Sequence, residues 1–268
     1  MSTAGTDPTR IVVTGATGRM GEELIDAAGD RTDVLVVAAV SRTPGSVPAE
    51  AAVGTHLDAT LADEADIDAV VDFTAPEATA EYAGIAAEHG VAFVTGTTGL
   101  DGHDADPLGA LDAASESVPV LHASNFSRGI AALRGAVREA AASLPGYDVE
   151  VTETHHNGKR DAPSGTALTL VGDVETERPD LTDRQHGREG EQPREAEEIG
   201  VHARRAGDVT GEHEVLFAGN REAIELTHRA GDRGVFAEGA LDAADWLAGR
   251  DPGWYGFGDV LDAGDAGE

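Results

Sequence analysis

The chain has 268 residues, and 50 acidic against 19 basic side chains give it a formal charge of −31 at pH 7. That balance excludes nucleic-acid binding as the default, because phosphate backbones select basic surfaces. An apolar content of 40%, gathered in blocks, excludes disorder, and the absence of cysteine excludes disulfides and thiolate metal sites while fitting a reducing compartment.

Residues 1–10 are polar and lack the basic region and apolar stretch of a secretory signal, so a loose tail is expected there. Arg10 to Thr14 reads as a short β-branched strand, followed by a glycine turn from Gly15 to Gly21 and an alanine-rich helix over about Glu22 to Ala28. Val34 to Val40 is the longest uninterrupted apolar run, far short of the about 20 residues a membrane helix needs. Ala69 to Thr74, Val91 to Thr95 and Val118 to His122 are further strands apolar on both faces, separated by helical segments such as Ala75 to His89. The pattern predicts a doubly wound parallel sheet covered on both sides. From Gly129 to Leu144, the positions Ile130, Leu133, Val137 and Leu144 share one helical face. Beyond it, Tyr147 to His156, Ile199 to Ala206, His213 to Ala218 and Ala223 to His228 mix apolar and polar residues as half-exposed strands do, which predicts a second, mostly antiparallel sheet. Ala167 to Glu175 reads as a helix, Glu175 to Glu198 as a long acidic loop, and Phe236 through Trp246 to Leu261 as a partly helical tail. The length suits two modest domains or one large one. The α/β reading places a dinucleotide-binding domain at 1–127 and 237–268 and a substrate-binding, oligomerising α+β domain with a mixed or antiparallel sheet at 128–236.

Lys159 is the sole lysine, every other side-chain cation apart from histidine being arginine. A composition that replaces lysine with Asp, Glu, Arg and Ala resembles that of salt-accumulating halophiles. At ~1 M salt the Debye length shrinks to about 3 Å, relieving the self-repulsion of such a surface. A lysine retained alone in that setting points to chemistry rather than solubility.

The strands run into Gly15 to Gly21, Ser41-Arg42, Thr74 to Pro76, Gly96 to Gly99, and Ser124 to Ser127, nearly all small or hydrogen-bonding residues. In an open α/β sheet the ligand lies outside the carboxyl ends of the strands, so the five turns converge on one polar crevice. Gly15, Ala16, Thr17, Gly18, Arg19, Met20 and Gly21 form a G-x-x-G-x-x-G turn between strand and helix, with Thr17 where the common fingerprint has its second glycine. In that context backbone amides and a helix N-terminus hold a pyrophosphate. Past the second strand, Ser41 and Arg42 replace the acidic residue that would bind the ribose hydroxyl of NAD, which points to NADPH, with use of NADH left open. The densest constellation runs from Glu153 through His155, His156, Lys159, Arg160 and Asp161 to Ser164, Gly165 and Thr166. Adjacent histidines at a strand end face opposite ways and no zinc spacing is present, so no metal is expected. Ser164, Gly165 and Thr166 open a helix whose N-terminus would meet an anion, so a small anionic substrate is expected. Each feature has a plainer alternative: a tight turn, a solvated arginine, or a helix cap beside surface histidines.

These motifs, Gly15 to Gly21, Asp72-Phe73-Thr74, Gly96 to Gly99, Asn125-Phe126-Ser127, and Glu153 to Thr166, resemble those of the 4-hydroxy-tetrahydrodipicolinate reductase family, also called dihydrodipicolinate reductase. Arg205 to His213 and Phe236 to Ala240 continue the resemblance over nearly the whole chain. It implies a Rossmann-like coenzyme domain, a substrate domain around a mixed sheet, a C-terminal segment returning to the first domain, and a homotetramer. It also implies the reductive step of the diaminopimelate route to lysine, with hydride passing from nicotinamide to the unsaturated ring of a dicarboxylate imine. On the matching positions, His155 and Lys159 would take acid roles, while His156, Ser164, Gly165 and Thr166 would hold substrate carboxylates. Phe73, Thr74, Gly96, Thr97, Thr98, Ser124, Asn125 and Phe126 would line the coenzyme. Ser41 departs from the acidic residue many members carry there, which argues against efficient NADH use, and Asn157-Gly158 replace bulkier, often basic residues. Two other readings compete: another amino-acid-precursor dehydrogenase, and a dinucleotide-binding redox sensor without turnover.

Overall fold

A computed structural model describes residues 7–42, 51–102 and 104–265. The expected loose tail therefore lies, over 1–6, outside the described residues. The chain divides into two compact units, Met1–Phe126 with Arg233–Glu268, and Ser127–Asp232.

Unit 1 begins with β1 (Thr9–Thr14), α1 (Arg19–Gly29), β2 (Val34–Val40), β3 (Ala52–Gly54) and α2 (Leu57–Asp63). It continues with β4 (Ala69–Asp72), α3 (Pro76–His89), β5 (Ala92–Thr95), α4 (Pro107–Ser115) and β6 (Pro119–His122). The strands form one sheet in the order β12-β6-β5-β4-β1-β2-β3, where β12 (Gly253–Tyr255) comes from the far end of the chain. Every neighbouring pair is parallel. Parallel strands need helical crossovers, which is why these strands are apolar on both faces. Ile11 and Val13 enter one core with Leu24 and Ile25 of α1 and with Ala240, Leu241 and Leu247. Those last three lie on α7 (Gly234–Leu247), which is followed by β12 and α8 (Phe257–Asp265). Val12 enters the opposite core with Leu57 of α2, Ala83 of α3 and Leu111 of α4.

Short α2 and α4 escape a periodicity search. Helix α4 is announced instead by its start, where Asp106 accepts from Gly109 N at 3.2 Å and Pro107 takes a first-turn position that needs no amide partner.

Unit 2 comprises α5 (Arg128–Ser143), β7 (Asp148–His155), α6 (Gly165–Glu177), β8 (Asp183–Gln185), β9 (Glu198–Arg205), β10 (Gly211–Gly219) and β11 (Glu222–Ala230). Its sheet runs β11-β10-β7-β9-β8. Ile130, Leu133 and Val137 of α5 and Leu170, Val171 and Val174 of α6 cover one face over Val149, Val151, Ile199, Val215 and Phe217. The expected antiparallel majority is corrected: β10 pairs antiparallel with β7 and β11, but β9 pairs parallel with β7 and β8. Helix α6 is a crossover that returns the chain so that β8 runs in the direction of β7, and the connection over 186–197 returns it again so that β9 runs the same way. The long acidic loop is also shorter than expected. Helix α6 runs to Glu177, β8 interrupts the segment, and Arg178 donates to Leu144 O at 3.0 Å and pairs with Asp180 at 2.7 Å.

Candidate functional site

In unit 1 the five turns follow β2, β1, β4, β5 and β6, five adjacent strands, so the sheet order brings all the predicted coenzyme residues to one carboxyl edge. Gly15 has φ +69°, and a Cβ there would press on Phe73 O at 2.8 Å and Thr74 Cγ2 at 2.9 Å. A Cβ on Gly21 would run into Gly15 O and Ala16, so this glycine lets α1 pack on its own turn. Gly18 caps α1 without a side-chain acceptor, leaving the first-turn amides of Arg19, Met20 and Gly21 without intrahelical partners. Together these features fit a pyrophosphate. Thr17 Oγ1 lies 2.7 Å from Ser41 Oγ, linking the turns after β1 and β2, and Arg42 follows, exposed.

Beneath the remaining turns lies a group that the sequence showed only as part of the Asp72-Phe73-Thr74 motif, with no role of its own. Asp72, at the end of β4, is 0% exposed and accepts from five threonine hydroxyls: Thr14 and Thr74 at 2.7 Å on Oδ1, and Thr79 at 2.7 Å, Thr95 at 2.9 Å and Thr97 at 3.1 Å on Oδ2. Thr97 Oγ1 in turn accepts from Thr74 N at 3.1 Å. One carboxylate thus ties the ends of β1 and β5, the start of α3 and the turns carrying Phe73, Thr74, Gly96 and Thr98. Several predicted coenzyme residues have committed side chains, Thr74 among them through its bond to Asp72. Thr97 is used by Asp72, and the Phe126 ring, 1% exposed, packs 5.7 Å from Phe73 and 5.3 Å from Phe257 in the core. Ser124 and Asn125 precede it in the turn after β6.

In unit 2, His155 ends β7, Lys159 follows in a turn where its amide donates to His156 O at 3.1 Å, and Ser164 caps α6. Gly165 and Thr166 form the first turn of α6. At their centre is Glu153, 0% exposed. Arg205 donates to both its oxygens at 2.7 and 2.8 Å, His155 Nδ1 lies 2.7 Å from Oε2, and Ser164 N donates to Oε1 at 3.1 Å. Burial alone would raise the Glu153 carboxyl, but Arg205 and His155 hold it below the usual range. Burial lowers the His155 imidazole, against the pull of Glu153 and with smaller contributions from Lys159 and Arg205. Its Nε2 faces Gly211, where a Cβ would stand 3.1 Å away. Lys159 Nζ lies 2.8 Å from Asp161 Oδ1, and despite burial this pairing holds the Asp161 carboxyl low.

His213, 4% exposed, shares a 3.0 Å hydrogen bond with Ser164 Oγ, and its ring stands edge-on to His155 at 5.2 Å. Burial and, secondarily, His155 push it down to about 3. The unfolded chain takes up this proton near the ordinary histidine value of about 6.5. Between those values it binds more protons than the folded unit, so stability is full above about pH 6.5 and falls on acidification. Urea midpoints followed by circular dichroism should drop across that window, and His213→Gln should flatten the drop. An equally steep drop in the variant would remove His213 as its cause.

Glu153, Arg205 and His213 were not singled out as site residues. The available signals were the Glu-x-His alternation, which puts Glu153 and His155 on one face of a strand, and the run from Arg205 to His213.

Two family models cover the chain: "Dihydrodipicolinate reductase, N-terminus" over residues 9–126 and "Dihydrodipicolinate reductase, C-terminus" over 129–261. The 4-hydroxy-tetrahydrodipicolinate reductase of Natronomonas pharaonis is 53% identical over 94% of this chain and 99% of its own. That of Haloarcula marismortui is 51% identical over 95% of this chain and 100% of its own, and both organisms are halophiles. A dipicolinate-bound dihydrodipicolinate reductase from Paenisporosarcina sp. TG-14 superposes with a TM-score of 0.76 at 24% identity, covering 93% of this chain and 97% of that one, a likeness of fold. On both family models and on relatives matched across nearly their full length, the chain belongs to the dihydrodipicolinate reductase family.

Proposed function

We propose that the protein reduces 4-hydroxy-tetrahydrodipicolinate, by way of dihydrodipicolinate, to tetrahydrodipicolinate, the reductive step of the diaminopimelate route to lysine. The observation that carries this reading is the unit 2 constellation: Glu153, His155, Lys159 and the start of α6 assembled in a chain of net charge −31 whose sole lysine is Lys159. The relatives' name supports it across the full length.

The nicotinamide coenzyme, NADPH by preference, supplies the hydride. The amides at the start of α1 hold its pyrophosphate, Ser41 and Arg42 accept its 2′-phosphate, and the turns set by Asp72 line the nicotinamide side. In unit 2, the amides of Gly165 and Thr166, with Ser164 and His156, take the substrate carboxylates. His155 supplies the proton that the ring carbon needs beside the reduced position, and the Lys159 ammonium stabilises negative charge developing there. The assembly is a homotetramer in the cytoplasm, a reading supported by the family resemblance; among the described residues no helix is long and apolar enough to cross a membrane.

The test follows NADPH oxidation at ~2 M KCl with substrate generated in place from pyruvate and aspartate semialdehyde by a synthase. Turnover by the wild type and its collapse in Lys159→Ala are expected. A folded wild type that binds coenzyme but shows no substrate-dependent oxidation at any salt concentration would leave the redox-sensor reading. In the same assay, Arg42→Glu should raise KM for NADPH on the order of tenfold or more while leaving NADH little changed, because a carboxylate repels the 2′-phosphate. Equal effects on both coenzymes would move Arg42 out of the phosphate site.

A further inference from the structure

Helix α6 begins in an unusual way. Its cap, Ser164, accepts from Ala167 N at 3.1 Å, the ordinary side-chain half of a capping arrangement. The reciprocal half, in which a Glu or Gln three residues into the helix receives the cap residue's own amide, is impossible because that position is Ala167. Glu153, from strand β7, takes over the bond, receiving Ser164 N on Oε1 while Oε2 holds His155 Nδ1. The carboxylate cannot swing away. Arg205 grips both oxygens, and Arg205 also donates to Asp161 O in the connection between β7 and α6.

Strand register builds this arrangement. In the pairing of β7 with β9, His155 stands opposite Arg205, and in that of β7 with β10, Glu153 stands opposite His213. His213 then fixes the Ser164 hydroxyl from the far side. An ionised, doubly gripped carboxylate at 2.7 Å can only accept, so His155 Nδ1 carries hydrogen and Nε2 is left as the exchanging nitrogen, facing the gap that Gly211 leaves open.

We propose that Glu153 is the positioning residue of this site, a single carboxylate that sets the tautomer and direction of the His155 acid and fixes the anion-binding start of α6 against it. The proposal rests on the reading of His155 as the proton donor, and it adds a residue to which no role has been attached. Substrate capture and proton delivery share one anchor, so loosening it disturbs both. The titratable and charged groups facing His155 are Glu153 from its own strand, Arg205 from β9, His213 from β10, and Lys159 with its partner Asp161 from the following turn. Of these, Glu153 favours the protonated imidazole, whereas Lys159 and Arg205 disfavour it.

Three measurements test it. Nitrogen-15 spectra of the wild type should show His155 with hydrogen on Nδ1 and a bare Nε2 once the ring is neutral; hydrogen on Nε2 overturns the proposal, whatever the variants do. Next, the protonation of His155 is followed by NMR, with its signal assigned by loss in His155→Gln, in Glu153→Gln and Arg205→Gln. The two variants should move its midpoint in opposite directions, down without Glu153 and up without Arg205. Opposite signs are something general damage to the fold does not produce. Midpoints that stay put, or that move together, overturn the proposal. If the single variants do not fold, Glu153→Gln combined with Arg205→Met removes both buried charges at once, a change proteins tolerate far better than stranding one partner, and its midpoint should still lie below that of the wild type. Finally, kcat/KM of Glu153→Gln should fall on the order of tenfold above neutral pH and recover as the pH is lowered, while a pH-independent loss overturns the positioning role. The NMR results do not require turnover, so absence of activity in the wild type would sink the reductase reading while leaving this one to its own outcome.

Discussion

Replacing His155 with Gln is expected to lower kcat by about 10²- to 10⁴-fold, the usual contribution of the general acid it is proposed to be, while coenzyme affinity should stay unchanged. Glutamine is close in size and can still donate to Glu153 across the 2.7 Å contact, but it cannot deliver a proton. His155 is proposed to act on the substrate ring and not to hold the coenzyme, so titration of NADPH fluorescence should superimpose for wild type and variant. The pH profile carries a second signature. Burial lowers the wild-type imidazole below its ordinary value of about 6.5, so its acid form is populated below that point and wild-type turnover declines as pH rises through it. The variant should lose this limb along with its rate. A variant that kept both would show that the proton comes from elsewhere, with Lys159 the next group to examine.

The fold was readable where chemistry and pattern are local. Val34 to Val40 and Ala69 to Val71 are apolar on both faces because helices cover both sides of their sheet, and each strand's turn follows it directly in the chain. The five turns could therefore be placed together once the sheet was taken as parallel. The His155 to Thr166 run was legible for the same reason: strand end, lysine and helix start are adjacent in sequence. What escaped is what strand register assembles. Arg205 and His213 reach Glu153 only because β9 and β10 flank β7 in one alignment, and a shift of a single residue would send them to the other face. The parallel pairing of β9 escaped with it, since alternation in a strand says nothing of its direction. Phe126 shows the converse: its motif was visible, but the commitment of its ring to the core beside Phe257 was not.

Asp72 stood in a motif of the sequence, but only the assembled sheet reveals what it holds, and its replacement by Ala has the largest effect on stability expected in unit 1. The five hydroxyls come from β1, from the turns after β4 and β5, from α3 and from β5 itself. Thr14, Thr79 and Thr95 are 0% exposed, so water cannot replace the lost acceptor. Each buried hydroxyl left unpaired costs about 1–3 kcal/mol. Because Thr79 lies 2.9 Å from Thr97 Oγ1 and can re-pair there, a net loss of about 3–5 kcal/mol is expected rather than the full sum. Asp72→Asn should cost less, about 1–2 kcal/mol, since its amide keeps one acceptor and threonine hydroxyls can rotate to accept from the new NH₂. Trp246 and Trp254, the protein's two tryptophans, both lie in unit 1, so urea unfolding followed by their fluorescence at ~2 M KCl reports on the unit that holds Asp72. Thr97 also holds Thr74 N, so the same substitution loosens the turn proposed to line the nicotinamide, and affinity for NADPH and NADP⁺ should fall together. If Asp72→Ala unfolds within about 1 kcal/mol of the wild type, a size typical of substitutions at uncritical sites, the threonines hold these strand ends without the carboxylate, and the coenzyme turns owe their shape to the backbone alone.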